Sequence, residues 1–207
     1  FSSPDRSLET ILEILPEIIK RLPKEIARKV KFEWYYGWNV FDATYQEDRK
    51  AMEWKAKIIK KFEELKKQGL VDGGYRIGHK EVARKNLQAG ALIYPTEFYE
   101  IDFIGGSKAQ IAGCVPITTD FAALDEKIQF GIKVKVNPKN WQNVEFNFGI
   151  KEKNKKEEFV QKVVEYLKDP QKWDEERKKM SEWAKKEFNW QRIAGLWNEI
   201  LCQSIKS

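Results

Sequence analysis

A carboxylate cluster, a glycine pair and a lysine crowd into one passage, "YPTEFYEIDFIGGSKAQIAGCVPITT", which begins at Tyr94. Glu97, Glu100 and Asp102 come first, Gly105, Gly106 and Ser107 follow, and Lys108 opens an apolar run. The chemistry such a set could do is anion binding. Glycines let backbone approach a ligand closely. The free N–H groups of a following helix start, with the helix macrodipole, attract negative charge. A lysine in a first helical turn opposes that dipole by about 0.3–1 kcal/mol. A bound diphosphate would reverse the sign, because lysine and dipole would both attract it. The start of the chain repeats the pattern. In "SSPDRSLE", Ser3 or Ser7 is placed to cap a helix, and Arg6 again sets positive charge at a helix start. Pro4 or Asp5 suits the first turn if Ser3 is the cap. The plainer reading of both places is an ordinary turn and a cation pointing at water.

These residues need a frame. Leu8, Ile11, Leu12, Leu15, Ile18 and Ile19 recur at helical spacing, with Pro16 expected to bend the helix. Val30, Phe32, Trp34 and Tyr36 alternate before Gly37, the period of a strand. Ala51, Trp54, Ile58, Phe62 and Leu65 mark a second amphipathic helix, with Gly69 as its C-cap. Then come a short strand ending at Gly78, a helix ending near Gly90 and an apolar strand ended by Pro95. A short helix from Ser107, a strand through Thr119 and a helix with a turn follow. This alternation predicts an α/β fold, a parallel sheet with helices on both faces. Such sheets bind ligands outside the carboxyl ends of their strands, so the loops after the strands matter most. Residues 132–149 read either as a strand and loop or as a small hairpin at the sheet edge. The C-terminal third reads as three helices, the first two divided by Pro170 and the third capped by Asn189.

Bulk composition narrows the classes. The chain has 207 residues, no repeat and no linker, which suits one domain. Hydrophobic residues at 42% are enough for a core. A net charge of +6 favours anionic partners without choosing among nucleic acid, phosphorylated metabolites and anionic lipid. No apolar run approaches ~18 residues, so no transmembrane segment is expected. The opening lacks the regions of a signal peptide. It starts on Phe1 rather than methionine, which reads as a cut inside a longer chain. Cys114 and Cys202 lack metal-site spacing and are expected to be buried structural thiols in a reducing cytoplasm. His79, the only histidine, reads as a helix-start residue that could reach the crevice, and Glu126 as a surface or site residue. Trp183, Trp190 and Trp197 fall in apolar stripes and read as core. The lysine run at 151–158 carries compensating glutamates and reads as a solvated face.

The Tyr94 passage resembles the donor-binding signature of retaining glycosyltransferases of the GT-B architecture, which has two facing Rossmann-like domains. That signature runs Pro-[Ser/Thr], a Glu, seven residues, a second Glu and then "AMAAGxPV". Here Pro95 and Thr96 lead to Glu100, seven residues follow, and "KAQIAGCVPI" stands in the place of "EAMAAGCVPV". "SSPDRSLETIL" resembles the opening of the family's C-terminal domain, where a basic residue meets the donor phosphates. "FNWQRIAGLWNEIL" resembles its terminal helix. The likeness covers nearly the whole chain, except residues 133–156 or so. It implies that residues 1–207 are a nucleotide-sugar (donor) binding domain, one half of a GT-B fold, whose N-terminal acceptor domain lies outside this chain.

The resemblance also implies roles. Glu100, the candidate catalytic residue, would hold hydroxyls of the donor sugar; nothing in the sequence makes it a nucleophile. Asp102, Phe103 and Ile104 would lie beside the sugar, and Gly105 and Ser107 nearer the phosphates. Tyr75, Arg76, Ile77 and Gly78 would line the place of the base, and Thr118 and Thr119 the crevice floor. Lys108 stands where the family has a ribose-binding glutamate. Lysine donates but cannot accept, so a phosphate contact takes over there. The reaction would transfer a sugar with retention at the anomeric carbon. Arg6, Lys108 and helix N-termini would stabilise the charge growing on the leaving diphosphate. No cofactor and no metal are expected, and the chain has no Asp-x-Asp motif. The expected partners are a nucleotide sugar and the acceptor domain, and not nucleic acid, for which no strand carries an aromatic-basic platform. This domain alone is expected to bind donor but to transfer sugar poorly or not at all. A cytoplasmic location is expected, with room for peripheral membrane association of the longer protein. The competing reading is a non-catalytic nucleotide or phosphate-binding α/β module; a nucleic-acid binder follows from charge alone.

Overall fold

Helix α1 (Pro4–Arg21) opens the chain with Ser3 at its N-cap and Pro4 at the first helical position, where a missing N–H costs little. The structure, a computed structural model, describes residues 2–139, 141–144 and 146–206. Two apolar stripes run along α1. Leu8, Leu12 and Leu15 enter a core with Trp34, Phe41, Trp54, Ile58 and Phe62. Ile14, Ile18 and Leu22 enter another with Ile117, Val134, Phe159 and Val163. One helix therefore serves two cores, and each fully buried Leu or Ile contributes about 1.5–3 kcal/mol.

A single turn, α2 (Lys24–Ala27), leads to β1 (Phe32–Trp34). Helix α3 (Asn39–Tyr45) follows, which the sequence pattern did not reveal, and then α4 (Arg49–Lys67). Asp48 caps α4, its Oδ1 accepting from the Ala51 N–H at 3.1 Å. Next come β2 (Val71–Gly73), α5 (His79–Gln88), β3 (Ala91–Tyr94), α6 (Ile104–Ile111), β4 (Val115–Thr119), α7 (Ala123–Lys127) and β5 (Ile132–Val134). The C-terminal third forms α8 (Lys153–Lys168), α9 (Asp174–Glu187) and α10 (Trp190–Lys206). As expected, a break at Pro170 separates α8 from α9, and the Asn189 Oδ1 caps α10 by accepting from the Gln191 N–H at 2.8 Å.

The fold is α/β, and every strand pairs in parallel: β1 with β2, and β3, β4 and β5 in that order. The expected single sheet is instead two small ones. Among the described residues no ladder joins β1 to β3. A cavity of about 490 Å³, partly open to solvent, lies between them, lined by Leu8, Ile11, Ile93 and Tyr94 and also by Lys31, Glu33 and Lys85. Helix α1 packs into the cores of both sheets and spans the gap.

Of the two readings for residues 132–149, the strand and loop is the one found, as β5 and an irregular segment. After β5 it returns across the end of β3, where Thr96 and Gly149 form an antiparallel bridge. The Glu97 N–H donates to the Phe148 carbonyl at 2.6 Å, and the Phe148 N–H donates to the Asp5 carbonyl at 2.5 Å. Gly149 is required there, because a Cβ would fall 2.0 Å from Thr10 Oγ1. Asn140 and Glu145, also in this stretch, lie outside the described residues.

Two expectations about burial are corrected. Trp190 and Trp197 are 82% and 60% exposed, and Cys202 is exposed, whereas Cys114 is buried. The reason is common to all three: α10 has no buried residue among those described, so its apolar stripe faces outward. Among the described residues no helix is long and apolar enough to cross a membrane.

Candidate functional site

The carboxyl ends of β3 and β4 meet the N-terminus of α1 through a relay of buried hydroxyls. Thr119 Oγ1 donates to the Thr96 carbonyl at 2.6 Å, and Thr96 Oγ1 donates to the Arg6 carbonyl at 2.7 Å. This fixes Arg6 in the first turn of α1. Its Nη1 donates to Glu100 Oε1 at 2.8 Å, and its guanidinium lies over the Phe98 ring, 4.2 Å from the centroid. Glu100 is only 5% exposed. The Tyr94 hydroxyl donates to the same Oε1 at 2.5 Å, and the Ser2 hydroxyl lies 2.8 Å from the Tyr94 oxygen. With the phenol proton directed at Glu100, the Ser2 hydroxyl is the donor in the second contact.

The electrostatics agree with this geometry. Burial, and then the Glu100 charge, push the Tyr94 phenol well above its ordinary pKa, so it stays protonated and remains a donor. Burial opposes the Arg6 charge, but the Tyr94 oxygen and the Glu100 carboxylate outweigh it and raise the Arg6 pKa. Beside them Asp5 is buried, and its Oδ1 has no hydrogen-bond partner. Its place in the first turn of α1 gives it the favourable end of the helix dipole.

Phe103 builds the α6 side of the site. Its ring stacks on Tyr94, with centroids 4.6 Å apart and planes 7° apart. Helix α6 begins at Ile104 rather than at Ser107, so Gly105 and Gly106 lie in its first turn. A Cβ on Gly106 would fall 2.4 Å from the Phe103 ring and 2.7 Å from Ile128. The packing of Phe103 therefore demands this glycine. The early start also changes Lys108. It falls in the last turn of α6, where the macrodipole favours positive charge, and not at a helix front that would repel it. Lys108 is exposed and has no ion pair among the described residues. Helical side chains lean toward the N-terminus, so Lys108 lies over the preceding turn, next to Ile104, which is 59% exposed.

The other candidates are more scattered. Asp102 is exposed and pairs with Lys127 at 3.0 Å. Gly105 borders the cavity, and Ser107 is half-buried. Thr118 and Thr119 are fully buried, so they support the site from beneath. Tyr75 meets Tyr35 edge-on at 5.6 Å, Arg76 is exposed, Ile77 is half-buried, and Gly78 is the N-cap of α5. These four follow β2 and so belong to the other sheet. The structure thus gathers Arg6, Glu100, Phe103 and Thr119 into one cluster, while Ile104 and Lys108 are exposed on α6. It does not bring Tyr75, Arg76, Ile77 and Gly78 into that cluster. His79 and Glu126 are both exposed.

Sequence reasoning missed several residues here. Tyr94 and Ser2 complete the Glu100 network. A tyrosine closing an apolar strand, with a carboxylate six residues on, is the signal that could have found the first. Tyr99 stacks on Trp141 at 4.5 Å, and Phe121 meets Tyr99 edge-on at 5.7 Å. Ala122 has φ 54°, a conformation usually left to glycine, and nothing in the sequence marks it. The next residue, Ala123, donates its N–H to the Glu100 carbonyl at 3.1 Å.

Among the described residues no group of three or more His, Cys, Asp or Glu side chains is placed to hold a metal ion. No model of a known protein family matches the chain, and no curated protein matches it either.

Proposed function

We propose that the Arg6–Glu100 cluster is the sugar and phosphate end of a nucleotide-diphosphosugar site, in a Rossmann-like donor domain of a retaining glycosyltransferase of the GT-B type. The observation that carries this reading is the meeting of Arg6 and Glu100 at 2.8 Å, at the carboxyl end of a parallel strand. Ligands of α/β sheets bind at such ends. The guanidinium has five N–H donors, and its contact with Glu100 runs through Nη1, so other donors are left for a phosphate. Arg6 is one-third exposed, which gives an anion access.

Glu100 suits positioning better than attack. It is buried and already accepts from two donors, and a carboxylate so held is a poor nucleophile. It would accept from donor-sugar hydroxyls with its remaining lone pairs. Lys108, from α6, would add charge toward the diphosphate. In the transfer, the bond from the anomeric carbon to the diphosphate oxygen breaks and a bond to an acceptor hydroxyl oxygen forms on the same face. The hydroxyl proton leaves with the diphosphate. Arg6 and Lys108 would stabilise the negative charge that develops on the leaving group. Acceptor recognition would come from a domain outside this chain.

A thermal-shift panel of nucleoside diphosphates and their sugars tests the reading. At least one of them should raise Tm in a concentration-dependent way. If none does at millimolar concentration, the reading fails. Binding of nucleoside diphosphates with no sugar transfer, even with the complete protein, would favour a non-catalytic nucleotide-binding module.

A further inference from the structure

The cleft between the two sheets is apolar along its length and basic at its rim. The Ser2 carbonyl accepts from Trp34 Nε1 at 3.1 Å, and the Ser2 hydroxyl meets the Tyr94 oxygen. The last residues of β1 and β3 therefore close one end, where the buried Ser3 and Ser7 also stand. Beyond them Leu8, Ile11, Leu15 and Ile18 of α1 line one wall, about 15 Å of helix at 1.5 Å per residue. The rim carries Lys29 and Lys31 just before β1, Glu33 within it and Lys85 on α5. A volume of about 490 Å³ falls in the range of small-molecule sites.

The polar groups of the rim are not fully used. Lys31 pairs with Asp72 at 3.0 Å and Lys85 with Glu33 at 3.0 Å, whereas Lys29 has no ion pair among the described residues. Asn86, next to Lys85, is only 4% exposed and lines the same cleft. Among the described residues, Asp5 Oδ1 is the sealed side-chain atom that lacks a hydrogen bond. Asn86 makes no side-chain hydrogen bond either but is not sealed, so its amide opens onto the cleft. A buried amide left unpaired is costly. Water could meet the amide but gains nothing along the apolar wall of α1. A ligand with an apolar body and a head that accepts hydrogen bonds and carries one negative charge suits both parts.

We propose that this cleft binds a medium-chain carboxylate. Its alkyl chain lies along Leu8, Ile11 and Leu15. Its carboxylate sits at the rim, where it accepts from the Asn86 amide and pairs with Lys29. A single charge on the head matches the single lysine without a carboxylate partner. The proposal rests on the cleft and its rim and stands without the functional reading.

Calorimetric titration of the whole 207-residue chain with monomeric decanoate, butanoate and decyltrimethylammonium tests it. Decanoate should saturate one site and bind at least about tenfold more tightly than butanoate, since each buried methylene is worth about fourfold. Decyltrimethylammonium, with the same chain and the opposite head, should bind more weakly than decanoate. Lys29→Glu changes an exposed residue and should weaken decanoate binding about threefold, the scale of an exposed ion pair. In nuclear magnetic resonance spectra decanoate should shift the Asn86 side-chain amide and the Ile11 and Ile93 methyl groups. No saturable binding of decanoate, equal binding of the two decyl ligands, or no effect of Lys29→Glu overturns the proposal. Shifts confined to α10, where Trp190 and Trp197 offer another apolar surface, overturn it as well. None of these readings uses a nucleotide, so the carboxylate site and the donor site can fail separately.

Discussion

Arg6 and Glu100 are 94 residues apart in the chain and 2.8 Å apart in space. The relay from Thr119 through Thr96 to the Arg6 carbonyl holds this pair in register. Arg6→Ala leaves the buried Glu100 with Tyr94 as its only side-chain donor among the described residues. A hydrogen bond to a charged group is worth about 1.5–3 kcal/mol. Because Arg6 is one-third exposed, the loss should fall at the lower end of that range. Urea unfolding of Arg6→Ala, Glu100→Gln and the double variant should show favourable coupling between the two positions. Additive losses would mean that the pair is not formed.

Gly106→Ala should destabilise the chain by about 1–3 kcal/mol, since overpacking a filled core forces neighbours to shift. Gly105→Ala should cost less, because its Cβ would stand 3.3 Å from the Phe103 ring. Thermal unfolding of the two variants checks the order. Equal Tm values would show that Phe103 does not sit over Gly106.

Glu97 gives the fold a pH dependence with a definite sign. Burial raises its pKa above the ordinary value, while the hydrogen bond from the Lys151 N–H works the other way and is outweighed. The folded chain then holds the Glu97 proton more tightly than the unfolded chain does. Stability from this group is fully present below the ordinary carboxylate range, and declines as pH rises through it to the raised value. Glu97→Gln should therefore be more stable than the parent at neutral pH and flatten the stability curve across that interval. Denaturant midpoints at several pH values measure it. A parent curve that rises across the interval, with no gain in the variant, would contradict the assignment.

The two thiols should behave oppositely. Burial pushes the Cys114 thiol up to about 12, and Cys202 is exposed. A thiol-reactive dye at pH 8 should label Cys202 alone in the folded chain and both cysteines after unfolding. Rapid labelling of Cys114 in the folded state would contradict its burial.

Local periodicity made most elements legible, because α1, α4 and α8 each carry an apolar stripe and β3 and β4 are short apolar runs between turn residues. Helix α3 was not legible, since Phe41 is its only buried residue and leaves no stripe. Helix α6 starts earlier than the sequence pattern places it, because Gly105 and Gly106 look like a loop. Their real constraint is the Phe103 ring, a contact that no spacing reveals. The α10 stripe reads as core, because a sequence shows that a face is apolar but not what covers it. At the site, Arg6, Glu100 and Lys108 stood out by charge and position. Tyr94, Ser2 and Ala122 did not, because their importance arises only when distant segments meet. The break between β1 and β3 is equally invisible, since both strands carry the pattern of paired strands.

The central claim is that Arg6, Glu100 and Lys108 hold a diphosphate-linked donor. Isothermal titration with nucleoside diphosphates and the matching nucleosides, on the parent chain and on Lys108→Glu, tests it most directly. The predicted result is that the substitution weakens diphosphate binding at least about tenfold, or 1.4 kcal/mol, and leaves nucleoside binding unchanged. Equal weakening of both ligands, or no binding of any nucleoside diphosphate to the parent chain, would contradict the account.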